Sequence, residues 1–171
     1  MMNILFVCLG NICRSPTVEG VARHLAAREA PHLELGFDSA GTAGYHIGEP
    51  PDARAIRHAR SRGYDISGLR ARQVQREDFH RFDLLLAMDE ENLDDLRAIA
   101  PHGHEHRARL FLEWCEGVDS LIVPDPYYGG REHFEQVIDL AERGVRSLFR
   151  KIEAGGLAPV AGAVAGAIRG R

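Results

Sequence analysis

The sequence predicts a single α/β domain of three layers, a parallel sheet with helices on both faces. Three observations predict it. Short, nearly continuous apolar runs at Met2–Val7 and Leu84–Met88 have the character of strands buried on both sides. Stretches with apolar residues at helical spacing alternate with such runs along the chain, which is the order of a parallel sheet built from crossover units. The length, 171 residues, suits one domain able to bury a real core. Ligands of such sheets bind beyond the carboxyl ends of the strands, so the segments that follow the strands are where chemistry is expected.

Taken in order, Met2-Asn3-Ile4-Leu5-Phe6-Val7 is the first strand, and a loop from Cys8 leads to the first helix. Pro16 suits a first helical position and Ser15 an N-cap. Val18, Val21, Ala22, Leu25 and Ala26 then fall on one helical face. A second strand is expected near Leu33–Asp38, followed by a loop rich in Gly and Pro from Ser39 to Asp52. Ala53–Arg62 reads as a helix that Gly63 ends. Glu77–Phe82 suits a short helix, and Leu84–Met88 is the clearest buried strand. Asp89 caps a helix running through Ala100, whose acidic start (Asp89-Glu90-Glu91, then Asp94-Asp95) matches the helix macrodipole. Arg109–Trp114 is expected as a fourth strand. Phe134, Ile138, Ala141, Val145, Leu148 and Ile152 alternate spacings of four and three, one long helix with one apolar stripe. From Ala154 to Arg171 the composition shifts to Gly, Ala and Val, so residues 1–153 are expected to form the domain and 154–171 a flexible tail.

The informative segment is the loop after the first strand, Cys8-Leu9-Gly10-Asn11-Ile12-Cys13-Arg14-Ser15. Placed between a buried strand and a helix start, it has to curl back and turn its amide N–H groups inward, which makes an anion cradle. A thiol attacks only as a thiolate, and an ordinary cysteine pKa of about 8.5 leaves little of it at neutral pH. Inward N–H groups, a helix N-terminus and Arg14 would all favour an ionised Cys8, and the same groups would bind a phosphoryl group. The planar fork of Arg14 suits phosphate better than a lysine would. Attack by Cys8 on phosphorus would give a phosphocysteine and split a hard hydrolysis into two easier steps.

A phenolate or alkoxide leaves poorly without a proton, so an acid must come from elsewhere. Asp125, in Val123-Pro124-Asp125-Pro126-Tyr127-Tyr128-Gly129-Gly130, is the best candidate. Two prolines stiffen its loop, two tyrosines stand beside it, and it follows the apolar run Leu121-Ile122-Val123. A carboxyl facing a phosphate dianion tends to keep its proton, as a general acid should, and could later activate water.

These residues resemble the low-molecular-weight protein tyrosine phosphatases. The resemblance rests on C-L-G-N-I-C-R-S-P at 8–16, D-S-A-G-T at 38–42 and G-Y-H-I-G-E-P-P-D-A-R at 44–54. It continues through A-R-Q-V at 71–74, M-D-E-E-N-L at 88–93 and D-P-Y-Y-G at 125–129, so that it covers nearly the whole chain. It implies a four-stranded parallel sheet of flavodoxin-like type, and no cofactor. It also implies Cys8 as nucleophile, Arg14 as phosphate clamp and Asp125 as general acid and base. Ser15 is implied as hydrogen-bond donor to the thiolate, Asn11 as the residue holding the loop's strained backbone, and Ser39 as a supporting serine near it. Tyr45 and Tyr127 match the walls of the tyrosine slot, with Leu9 and Ile12 on the loop itself, and Tyr128 matches a rim tyrosine. Relatives that prefer phosphoarginine carry threonine where Ile12 stands. Many relatives have histidine where Leu69 stands, a departure that bears on the support of Asn11.

Composition narrows the alternatives. Apolar content of 44%, charged content of 27% and a net charge of −4 are those of an ordinary globular protein and argue against a nucleic-acid surface. Three cysteines are too few for a disulfide framework and favour a reducing compartment, hence a cytoplasmic setting. No signal peptide and no apolar stretch of membrane-spanning length is apparent. Cys13 is either a core thiol or a partner that pairs reversibly with Cys8 on oxidation; Cys115, beside Trp114, reads as structural. His102-Gly103-His104-Glu105-His106 lacks metal-ligand spacing and reads as a solvated loop.

Two competing functions meet residues that disfavour them. A phosphotyrosine-binding module without chemistry would lack the nucleophile or the acid, and both are present. Arsenate reduction would need further cysteines, and Leu84–Leu96 has none. The expected partners are therefore a phosphotyrosine protein or peptide and inorganic phosphate, acting on a monomer.

Overall fold

The structure is a computed structural model that describes residues 1–158. Four parallel strands form the sheet in the order β2-β1-β3-β4: β1 is Met2–Cys8, β2 Leu35–Gly41, β3 Leu84–Ala87 and β4 Ala108–Leu110. Helices α1 (Arg14–Glu29), α2 (Ala53–Ser61), α3 (Asp78–Arg81), α4 (Glu90–Ile99) and α5 (Arg131–Glu153) surround it. This is the expected three-layer, flavodoxin-like arrangement.

The alternation of side chains along β1 builds both layers. Ile4, Phe6 and Cys8 point into the larger core, which α1 and α5 cover, while Leu5 and Val7 point into a smaller one closed by Phe79, Leu93 and Leu96. Leu84 and Leu86 share the first face and Leu85 and Ala87 the second. Phe6 anchors the larger core, stacked on Phe37 at 6.0 Å and edge-on to Phe111 at 5.6 Å. The chain leaves β1 toward β2 on one side and later lays β3 on the other, so the topological switch point falls between β1 and β3. Cys8 ends the first of these strands and Asp89 follows the second.

Several boundaries differ from expectation for visible reasons. The first helix begins at Arg14, so Pro16 is its third residue, where its missing N–H is still one of the four a helix leaves unpaired. Ser15 therefore does not cap; Cys13 stands at the N-cap, and the Thr17 hydroxyl donates back to the Cys13 carbonyl at 2.7 Å. The second strand runs on to Gly41 because Ser39, where the loop was expected to begin, is buried and bonded to Asn11 and to Glu19 of α1. The fourth strand stops after three residues. Its continuation, Phe111–Trp114, winds into a 3₁₀ turn that buries Phe111 and Leu112 together.

The remaining helix ends follow their local chemistry. Asp52 caps α2 by accepting the Arg54 N–H at 2.8 Å, and Gly63 leaves that helix at a φ of 92° that favours glycine. At α5, His133 reaches back to accept the Gly130 N–H at 3.0 Å. Leu157 still packs against the larger core beyond α5, and residues 159–171, most of the expected tail, lie outside the described residues. Among the described residues no helix is long and apolar enough to cross a membrane.

Candidate active site

The loop from Cys8 to Ser15 curls beyond the end of β1 and is braced from behind by β2. Thr42 N–H donates to the Cys8 carbonyl at 2.9 Å and Ala43 N–H to the Leu9 carbonyl at 3.0 Å. Contact is close enough that a β-carbon on Gly41 would lie 2.6 Å from the Leu9 carbonyl oxygen.

At the loop's turn, Asn11 has a φ of 57°, the sole positive value at a non-glycine residue among those described. Its side chain holds that conformation with three hydrogen bonds. Nδ2 donates to Ser15 Oγ and to Ser39 Oγ, both at 2.9 Å, and Oδ1 accepts the Arg72 N–H at 3.0 Å. Ser39 Oγ passes its own proton to the buried Glu19 carboxylate at 2.7 Å, and Glu19 pairs with Arg23 at 2.8 Å. Leu69 is buried in the larger core and contributes packing, and the three bonds of Asn11 are made without it.

Cys8 Sγ lies 3.0 Å from Ser15 Oγ and accepts the Asn11 N–H at 3.3 Å. Because Ser15 Oγ already accepts from Asn11, its hydroxyl proton is left to point at the sulfur. The Ala40 carbonyl, at 3.4 Å, is the weaker alternative.

Arg14 is buried and reaches behind the loop. Its Nη1 donates to Asp89 Oδ2 at 2.6 Å and to the Val123 carbonyl at 3.2 Å, while Nη2 lies 3.8 Å from Asp125 Oδ2. Burial works against its charge, but the Cys8 sulfur, Asp89 and Asp125 outweigh that and raise its pKa above the ordinary value. Cys13, also buried, is different: burial first, then the Asp52 and Cys8 charges, push its thiol pKa up, which leaves it a neutral thiol.

Asp125 reaches the same place from a distant part of the chain. Cys8, Leu9, Gly10, Ile12, Cys13, Arg14, Tyr45, Asp125, Tyr127 and Tyr128 line one pocket of about 260 Å³, joined by His46. Every pocket residue expected from the sequence is thus brought together, and Asn11, Ser15 and Ser39 stand behind it. His46 and Asp89 were not singled out for the site. Asp89 is the more instructive: Oδ1 caps α4 by accepting the Asn92 N–H at 2.8 Å, while Oδ2 holds Arg14. Its place one residue past Met88, whose N–H bonds the Val7 carbonyl, is the signal that could have found it. Arg72 was likewise missed as the donor to Asn11; its guanidinium is tied to Asp38 and Asp78.

A cradle that closes on an anion, with a thiol inside it and a carboxyl at its mouth, can take a phosphoryl group onto sulfur and give it up to water. That defines a cysteine-dependent phosphatase. The model of one such family, low molecular weight phosphotyrosine protein phosphatase, matches residues 3–156, and the chain belongs to that family. Its chemistry is hydrolysis of protein phosphotyrosine through a phosphocysteine, with Cys8 as nucleophile, Arg14 as phosphate clamp and Asp125 as general acid and base.

Relatives span nearly its whole length. A low molecular weight protein-tyrosine-phosphatase of Bacillus subtilis, YfkJ, is 41% identical over 153 residues, covering 90% of this chain and 97% of its own. The Homo sapiens low molecular weight phosphotyrosine protein phosphatase is 41% identical over 150 residues, 87% of this chain and 94% of its own. Among solved structures, a protein tyrosine phosphatase from Entamoeba histolytica, crystallised with Hepes in its active site, superposes with a TM-score of 0.87. It is 38% identical and covers 92% of this chain and 100% of that one.

Proposed function

We propose that this chain acts as a monomeric, cytoplasmic phosphatase on phosphotyrosine in proteins, and that the residues around Cys8 divide the work as follows. The observation that carries the reading is the convergence of Cys8, Arg14 and Asp125 on one pocket. The phosphate would sit in the loop of residues 8–15, bound by its N–H groups and by the edge of Arg14 that Asp89 does not occupy. Leu9, Ile12, Tyr45 and Tyr127 would wall the aryl ring, and Tyr128, 96% exposed, would meet the protein that carries it. Gly10 admits that ring and anion without a side chain in the way, and Ile12 suits a flat apolar ring.

In the first step the Cys8 sulfur attacks phosphorus. The S–P bond forms as the P–O bond to the ring breaks, and the departing oxygen takes the proton of the Asp125 carboxyl. In the second, water attacks phosphorus and gives its proton to the Asp125 carboxylate. The S–P electron pair returns to sulfur, where the Ser15 hydroxyl and the Asn11 N–H receive the charge. Inorganic phosphate leaves. Asn11 and Ser39 serve by holding the loop open.

Cys8 and Cys13, both free, line the same pocket, which supports a protective role under oxidation. Peroxide would convert the Cys8 thiolate to a sulfenic acid, and the Cys13 sulfur would displace its oxygen as water to form a disulfide. The organisation that fits is a catalytic domain of residues 1–153 followed by a tail, 154–171.

Cys8→Ser tests the central assignment. The variant should lose all turnover of an aryl phosphate while still binding inorganic phosphate by calorimetry. Appreciable turnover would remove Cys8 from its role.

A further inference from the structure

Arg54 touches none of the reacting groups, yet it joins the loops that carry them. Its Nε and Nη2 donate to the two carboxylate oxygens of Asp52, each at 3.0 Å. Nη2 also donates to the Tyr127 carbonyl at 3.0 Å. The guanidinium lies over two rings, 4.7 Å from the Phe134 centroid and 5.5 Å from that of Tyr127. Asp52 in turn donates its N–H to the Ile12 carbonyl in the phosphate loop at 2.8 Å. A continuous path therefore runs from the phosphate loop through Asp52 and Arg54 to Tyr127, two residues past the proton donor.

The acid loop needs such a hold. No helix or strand spans Ser120–Gly130. Before Asp125 the loop is pinned where Val123 N–H bonds the Met88 carbonyl at 2.8 Å. After it, the loop is held to the body of the molecule by the packing of the buried Pro126 and by the bond from Arg54 to the Tyr127 carbonyl. Tyr127 N–H, finally, donates to Asp125 Oδ1 at 3.0 Å, so displacement of residue 127 passes directly to the carboxyl. Exposed ion pairs add little to stability, so the value of this one lies in position.

We propose that Arg54 is a positioning residue for the proton donor, setting the place of the Asp125 carboxyl over the phosphate loop through the Tyr127 backbone. The inference rests on Asp125 as general acid. Small misplacements of a reacting group cost rate steeply, and general acids contribute about 10²–10⁴-fold.

The test compares kcat/KM for phenyl phosphate, whose leaving oxygen needs a proton, with that for 2,4-dinitrophenyl phosphate, whose leaving group does not. Arg54→Gln should slow the first ester about tenfold more than the second, and Arg54→Lys should fall between Gln and the parent. Asp125→Asn should show the larger selective loss, and adding Arg54→Gln to it should bring no further selectivity. Equal losses on both esters, or a fully additive double variant, would overturn the role of Arg54. If Asp125→Asn itself slows both esters equally, the general acid is overturned and the inference with it. Melting temperatures of both Arg54 variants separate these outcomes from unfolding.

Discussion

At the scale of the residue, Asn11 shows how much depends on one amide. It holds a left-handed backbone that asparagine tolerates better than most residues, and three hydrogen bonds fix it there. Asn11→Ala would leave the Arg72 N–H without its acceptor and remove the donors to Ser15 and Ser39, and should cost about 1–3 kcal/mol, with a large loss of activity. Asn11→Gly removes the same bonds but relieves the backbone, so it should be more stable than Ala and no more active. Urea midpoints and kcat/KM measure both; an Ala variant of parental stability and activity would dismiss the network. The residues that do chemistry were legible because thiol, guanidinium and carboxyl announce themselves beside Gly and Pro. Asp89 and Arg72 were not, because a capping aspartate explains itself locally, and a backbone N–H donor leaves no trace in the identity of its side chain.

At the scale of the element, Gly144 carries the lesson. It reads as a weak point in α5, between Ala141 and Val145 of the apolar stripe. Yet a β-carbon there would lie 2.4 Å from the Phe111 ring and 2.9 Å from Leu112. Helix propensity favours Gly144→Ala by about 1 kcal/mol, but forcing a methyl into this packing costs about 1–3 kcal/mol. The variant should therefore be less stable by up to about 2 kcal/mol in urea denaturation; a gain would mean that the ring moves aside freely. The same contact explains why the fourth strand was overestimated. Leu110, Phe111 and Leu112 look like a strand by composition, but Phe111 and Leu112 both turn toward α5. Among the described residues the sequence pattern found the five α-helices and the four strands, but read the 3₁₀ turn at Glu105–Arg107 as loop; it misjudged ends where buried polar residues or aromatic packing decide.

At the scale of the molecule, the fold class follows from alternation alone, and the place of the site from the carboxyl ends of β1 and β3. Strand order was not readable from periodicity, since it depends on which side each crossover returns; the resemblance supplied the type of sheet, four parallel strands of flavodoxin-like kind. The pocket residues run from Cys8 to Tyr128, and α5 closes the core before residue 158. A chain ending at Ala158 should thus keep its melting temperature and its kcat/KM on aryl phosphates within about twofold, since residues 1–158 already hold the pocket and its core. A larger drop would assign the last residues a part in the working domain.

The aliphatic side chain at Leu69 has a kinetic consequence. An imidazole at that position would gain and lose charge near neutrality. Leucine has no proton to exchange. Between about pH 6 and 8, then, position 69 adds no titration of its own to a rate profile of this enzyme.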